Sequence, residues 1–304
     1  MTLVEVILLV AKVSIFLNVL SFALNAEFSD ATYLFRHPAL LLRAVLSMNV
    51  VMVVIAVVLA RVFDLHPAIK VALVALALSP VPPIMPRNAF KAGGSESYTI
   101  GLLTAAALLS IVLVPLSLEL LQQILRMHLG MSPFAVAKVV LTSIIVPLAL
   151  GIALHSFAPA VGQKISKPVS IVAAVLLVAA ILPILIASGP AIWSLIGNGH
   201  VLALAAFVIL GLLIGHLMGG PDPEDRSVLA LATSTRHPGL AVGIAQANFP
   251  QQKLAMGAVL LYVLVSAVVA IPYLKRAAGQ SKNFLGLGPL ALGHTIISLY
   301  VERN

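Results

Sequence analysis

The sequence predicts an all-α membrane protein of about nine transmembrane helices, arranged as two inverted repeats that each contain one broken helix. Composition is the first observation behind this: hydrophobic residues fill 61% of the 304 positions and charged residues 9%, against roughly a quarter charged in a soluble domain. Most side chains therefore find their natural solvent in lipid. The second is run length. Uncharged stretches such as 98–118, 168–188 and 254–274 each reach the roughly 20 residues that a helix rising about 1.5 Å per residue needs to cross hydrocarbon. The third is that two apolar segments are interrupted at corresponding places in the two halves of the chain.

Taken in order, hydropathy and turn signals place spans at 4–25, 40–63, 67–92, 96–121, 133–156, 167–188, 197–218, 226–248 and 252–274. The first contains Glu5 and Lys12 and lacks a basic start followed by a small-residue cleavage site, so it reads as a retained helix rather than a signal peptide. Lys12, like Arg43 in the second span, can snorkel to an interface. The third span is broken by Ser79-Pro80-Val81-Pro82-Pro83 and by Pro86-Arg87-Asn88. Gly93-Gly94 then turns the chain into the fourth span, which Glu96 starts. The eighth is broken by Thr233-Ser234-Thr235-Arg236-His237-Pro238-Gly239. Beyond 275 the tail 276–304 is apolar over 283–300 but dotted with Gly286, Gly288, Pro289 and Gly293. It is expected to lie loosely at the interface and not to form a tenth span.

Spans 1 to 4 (residues 1–123) correspond to spans 6 to 9, with span 5 the unpaired extra helix of the second half (124–275). An odd offset in span number makes the halves run in opposite directions, the inverted-repeat pattern in which discontinuous helices meet at mid-membrane and build a binding site. Basic residues also give an orientation. Arg36, Lys91, Lys164, Lys167, Arg226, Lys275 and Arg276 outnumber Arg61, Lys70, Arg126 and Lys253 on the other side, which puts the C-terminus in the cytoplasm and the N-terminus outside.

Several function classes drop out. The formal charge of +8 is spread singly over span ends, without a basic cluster interleaved with aromatics, so nucleic acid is not a partner. With no cysteine there are no disulfides, thiolate metal sites or cysteine nucleophiles. No G-x-S-x-G, H-E-x-x-H, phosphate-binding loop or paired intramembrane aspartate is present. No enzyme activity, cofactor or metal site is predicted.

The chemistry is expected at the breaks. Interrupting a helix in lipid strands N–H and C=O groups at a cost of several kcal/mol each unless protein or water satisfies them. Helix N-termini freed in this way offer N–H groups and partial positive charge to a carboxylate. Arg87 and Arg236 fall at the two breaks, and an arginine at mid-depth must face a wet cavity, a carboxylate or backbone carbonyls. Two readings stay open: each arginine plugs carbonyls of its own broken helix, or it contacts an anionic substrate or replaces a coupling cation. His237 could serve substrate binding, proton coupling or structure. Asn88, Thr233, Ser234 and Thr235 could touch a ligand or satisfy freed backbone groups. The helix-breaking residues themselves are Ser79, Pro80, Pro82, Pro83, Pro86, Pro238 and Gly239.

Three motifs carry a family likeness over roughly residues 1–275: Leu34-Phe35-Arg36-His37-Pro38, Ser79-Pro80 with a closing Val114-Pro115, and Arg236-His237-Pro238-Gly239-Leu240-Ala241. The chain resembles the bile acid:sodium symporter family. That resemblance implies a panel domain, a core domain holding two crossover helices, and alternating-access transport of a small or amphipathic organic anion. It also implies where sodium would bind. Those positions hold Met85, Pro86, Met48, Ala232 and Arg236 here, with Thr99 kept and Leu103 replacing a second hydroxyl. Hard cations need oxygen ligands, which thioether, alanine and proline side chains lack.

The expectation is thus a carrier of a small organic anion in which Arg236 takes the electrostatic part of sodium, working as a uniporter, exchanger or proton-coupled carrier. A sodium-coupled symporter of bile-acid-like or carboxylate substrates and a non-transporting membrane sensor on the same fold are the alternatives. A chain without a targeting extension fits a bacterial inner membrane.

Overall fold

The computed structural model describes residues 2–125 and 129–284, and every regular element within them is helical. Helix α1 (Leu3–Ala23) opens on a capping box, in which the Thr2 hydroxyl accepts from the Glu5 N–H and the Glu5 carboxylate accepts from the Thr2 N–H. Glu5 therefore serves its own helix. Two single-turn helices, α2 (Phe28–Ala31) and α3 (Tyr33–Arg36), lead into α4 (Pro38–Val45), a π-helical turn (Leu46–Val51) and α5 (Met52–Val62) in unbroken succession. There follow α6 (Pro67–Leu78), α7 (Met85–Lys91), α8 (Glu96–Leu125), α9 (Pro133–Val140), a second π turn (Leu141–Ile145), α10 (Val146–Phe157) and α11 (Pro159–Ser194). The chain continues through α12 (His200–Met218), α13 (Pro223–Ser234), α14 (Pro238–Asn248) and α15 (Ala255–Phe284).

Among the described residues, seven helices are long and apolar enough to cross a membrane: Glu5–Ala23, Pro38–Val62, Glu96–Gln123, Pro133–Phe157, Pro159–Ser194, His200–Met218 and Ala255–Gly279. The two remaining passes expected from the sequence are the interrupted helices. The sixth span is longer than its apolar run, because α11 takes Pro168 into its interior instead of starting there. Its Ile171, Val175, Val178 and Ile186 are exposed, as a lipid-facing surface requires. The last helix runs on to Phe284, past the expected start of the tail at 276. The rest of the tail, and Arg126, lie outside the described residues.

Packing sorts the helices into two groups. α1 lies along α10 and α11, while α6 packs on α5, α14 and α15, and α12 packs on α13 and α15. A small apolar cluster around Val19, Ala23, Leu148 and Ile152 belongs to the first group and reaches Ala31 and Ile100. The main core runs through the second. Small residues let backbones approach where the second group is tightest. A Cβ on Gly215 of α12 would stand 2.5 Å from the Ala230 Cα and the Leu229 carbonyl oxygen of α13.

The interrupted helices are 67–91, opened at 79–84, and 223–248, opened at 235–237. α6 packs on α14 and α7 on α13, so the first half of each lies against the second half of the other. They run antiparallel and cross at their breaks. Both openings are shorter than the sequence suggests. Pro86, Arg87 and Asn88 are already helical in α7, Thr233 and Ser234 still close α13, and Pro238 and Gly239 form the first turn of α14. A proline at the first or second helical position replaces an N–H that has no partner in the helix anyway.

Candidate functional site at the helix crossing

The breaks satisfy each other's stranded groups. The His237 N–H donates to the Pro80 carbonyl at 2.9 Å, one backbone hydrogen bond joining the two openings directly. Proline at 80, 82 and 83 removes three N–H groups that would otherwise need partners. His237 is also the N-cap of α14, its Nδ1 accepting from the Leu240 N–H at 3.3 Å, while its buried Nε2 has no partner.

Arg236 is the largest fully buried side chain here, only 2% exposed. Its Nη1 donates to the Ser79 carbonyl at 3.3 Å, and its Nη2 donates to the Met48 carbonyl at 2.8 Å. The first acceptor ends α6 and the second lies in the π turn of the second span, both places where regular i→i−4 pairing is interrupted. The guanidinium thus plugs carbonyls, as one sequence reading has it. The carbonyls belong to the other broken helix and to a neighbouring span, not to its own helix. Its Nε is buried without a partner.

The hydroxyls at the second break are spent on structure. Ser234 and Thr235 both donate to the Leu231 carbonyl, at 3.1 and 2.6 Å, and the Tyr262 hydroxyl of α15 donates to the Ser234 carbonyl at 2.7 Å. The Thr233 and Ser47 hydroxyls are 3.2 Å apart, which ties α13 to the π turn. Three residues that could have touched a ligand instead close a helix end.

Arg87 goes elsewhere. It lines a cavity of about 440 Å³ with Asn18, Ser21, Phe22, Asn25 and Phe90, closed by Glu96, Ser166 and Ser170. Arg236 does not line this cavity, so the two arginines do not share a pocket. Asn88 is half-buried on the same short helix. The cavity walls come from both helix groups, α1 and α11 on one side and α7 with the start of α8 on the other. Asn25 Nδ2 donates to the Ser166 hydroxyl at 2.9 Å, and that hydroxyl donates to the Ser21 carbonyl at 2.7 Å. The Phe22 and Phe90 rings meet edge to face at 6.3 Å. The lining thus holds one cation, Arg87, one acid, Glu96, several neutral polar groups and an aromatic pair, a mixed wall in which the guanidinium can take a small carboxylate and the rings its apolar body. The polar wall is missing from the sequence expectations, although a signal exists: Asn18, Ser21 and Asn25 recur at intervals of three and four, as do Ser166 and Ser170 at four.

At the positions that the family resemblance assigns to sodium, Met48, Met85, Ala232 and Leu103 are buried and bring no side-chain oxygen. The Thr99 hydroxyl donates to the Ser95 carbonyl at 2.6 Å. The Met48 carbonyl accepts from Arg236. The structure thus brings Met48 and Arg236, 188 residues apart in the chain, into direct contact through the Arg236 guanidinium.

Against known families, residues 12–195, more than half of the chain, match the model of the sodium bile acid symporter family. The match ends before α12, so the second broken helix rests on its own geometry. No curated protein matches the chain.

Proposed function

Because this chain belongs to the sodium bile acid symporter family and is a multi-pass membrane transporter, we propose that it carries a small organic anion by alternating access without sodium. The observation that carries this reading is the buried Arg236 guanidinium on the Met48 and Ser79 carbonyls. A permanent cation stands where the two broken helices meet, bonded to backbone carbonyls of two other segments. It supplies the positive field that would otherwise come from a bound ion.

Substrate enters the cavity that Arg87 lines, with its carboxylate on the guanidinium and its apolar body toward Phe22 and Phe90. Burial weighs against direct substrate contact by Arg236 and His237, which act on the site through field and backbone position. Thr233, Ser234 and Thr235 support the crossing, and Asn88 borders it. In this reading α1, α10 and α11 are a panel that moves against a core made of the other spans. The chain makes nine passes as two inverted repeats, 1–123 and 124–275. The antiparallel crossing of 67–91 with 223–248 supports that symmetry. The basic residues favour a cytoplasmic C-terminus in a bacterial inner membrane.

The test is uptake of a panel of small carboxylates into proteoliposomes under sodium, proton or no imposed gradient. Saturable flux that is indifferent to sodium and weakened by Arg87→Ala is the expected result. Flux that follows the sodium gradient would overturn the reading in favour of a sodium-coupled symporter. No flux for any carboxylate would favour a sensor.

A further inference from the structure

The larger of the two cavities, about 590 Å³, is lined by three acids, Asp222, Glu224 and Asp225, against one arginine, Arg226. Asp222 and Glu224 are exposed at the helix start, where negative charge is favoured. Asp225 differs. It is only 3% exposed although it borders the cavity, and no side-chain bond caps the helix it helps to begin.

Several donors near Asp225 are engaged elsewhere, and no hydrogen bond reaches its carboxylate among the described residues. The Arg226 Nε donates to the Gly220 carbonyl at 2.8 Å, the Ser227 hydroxyl to the Pro223 carbonyl at 3.1 Å, and His216 Nδ1 pairs with the Tyr273 hydroxyl at 2.8 Å. The Tyr98 hydroxyl, close enough to Asp225 to interact with it electrostatically, is buried without any partner. A carboxylate this buried, with no hydrogen bond to compensate and water reaching it only from the cavity, is biased toward its protonated form.

We propose that the Asp225 carboxyl is the proton-binding site that couples this carrier to the proton gradient, loaded and unloaded through the cavity at the start of α13. The inference rests on the anion-carrier reading and names its coupling ion. One proton taken up by one carboxylate accompanies one monoanion, so the loaded cycle moves no net charge. α13, a helix of 12 residues, carries this site in its first turn and ends at Ser234, about 14 Å further along its axis, two residues before Arg236. A half-helix that short and that tightly packed on α12 moves as a unit.

Other titratable groups shape the site without replacing it. On α3, Tyr33 and His37 stack at 4.2 Å, and Arg43 of α4 lies beside Gly220. Of the elements packed on α13, α12 contributes His216, α8 contributes Tyr98, and α15 contributes Tyr273 and Arg276 beyond His216. α7 gives Arg87 to the other cavity and exposes Lys91. Asp225 lies just ahead of the span that begins at 226. There burial first, then the Asp222 and Glu224 carboxylates, push its carboxyl up to about 6, against the pull of His37. Burial first, then the Asp225 and Asp222 carboxylates, raise the Tyr33 hydroxyl.

The test reads the proton and the coupling separately. Infrared difference spectra of the full-length protein, titrated from about pH 8 to about pH 5, are expected to show a carboxylic-acid carbonyl band with a midpoint near 6. The band should persist in Glu224→Gln, shift in Asp225→Glu and vanish in Asp225→Asn. In proteoliposomes an inward gradient of one pH unit should drive up to about tenfold carboxylate accumulation by the wild type and none by Asp225→Asn. A band untouched by Asp225→Asn overturns the proton site and leaves the anion reading intact. Carboxylate exchange that ignores the pH gradient overturns the coupling alone. Failure of every carboxylate to move, with the band still titrating, overturns the anion reading and the coupling together.

Discussion

Replacing Arg236 by lysine or by methionine separates charge from hydrogen bonding. The guanidinium spans two carbonyls, Ser79 at 3.3 Å and Met48 at 2.8 Å. A lysine ammonium keeps the charge but lacks the planar fork that serves both, so one buried acceptor is stranded at about 1–3 kcal/mol. Methionine strands both, about 2–6 kcal/mol, while removal of a buried charge returns several kcal/mol of desolvation. The two terms nearly cancel. Methionine and lysine variants should therefore melt within a few kcal/mol of the wild type and of each other. Their transport should differ sharply. At an effective dielectric of about 20, a unit charge about 8 Å from a carboxylate stabilises it by about 2 kcal/mol, or about 30-fold in affinity. Carboxylate half-saturation measured by counterflow should rise about 30-fold for Arg236→Met and only a few-fold for Arg236→Lys. Neither variant should respond to sodium. If Arg236→Met binds carboxylates as tightly as the wild type, the arginine is a plug and the fixed-cation argument fails.

Three further outcomes follow from the structure. Arg87→Ala should raise carboxylate half-saturation at least about tenfold, the loss of roughly 1.4 kcal/mol of charge-assisted binding, with little change in melting temperature. An unchanged half-saturation would place the anion elsewhere. Gly215→Ala puts a methyl 2.5 Å from the Ala230 Cα, and overpacking of that kind costs about 1–3 kcal/mol. Thermal unfolding in detergent should show it, and an unshifted transition would mean that α12 and α13 separate easily. For Asp225 the sign is set by a folded-state carboxyl raised to about 6 from an ordinary 3.8. Its stabilising contribution is complete below about pH 4 and lost as pH rises through about 6. Asp225→Asn should accordingly leave the melting temperature unchanged near pH 4 and raise it above pH 6; a rise at both would point to a packing effect instead.

Much of the fold is legible in the chain because lipid imposes one rule. A segment without charges and long enough to cross must be helical, since its backbone has no other partner. Composition and run length therefore place seven long helices before any contact is known, and proline at 80, 82, 83 and 238 marks where two more are interrupted. The resemblance carried by the motifs at 34–38, 79–80 and 114–115, all within the matched residues 12–195, correctly anticipates the family. Boundaries are less legible: Pro168 looks like a start and lies inside α11, and Pro86 looks like a break and lies inside α7. Proline is tolerated both in a first turn and within membrane helices whose neighbours satisfy the freed carbonyl.

The candidate site divides along the same line. The sequence by itself determines that two arginines, a histidine and three hydroxyls sit near interrupted helices, because residue type and local spacing are properties of the chain. Only the tertiary structure separates their fates. Arg236 meets carbonyls 157 and 188 residues away, Arg87 faces a cavity shared with α1 and α11, the Ser234 and Thr235 hydroxyls fold back on Leu231, and the Thr233 hydroxyl meets Ser47. Asp225, an unremarked acid beside a turn in the sequence, becomes a buried carboxyl without a partner. Burial and the loss or gain of a hydrogen-bond partner depend on which distant helices pack together, and local sequence does not carry that information.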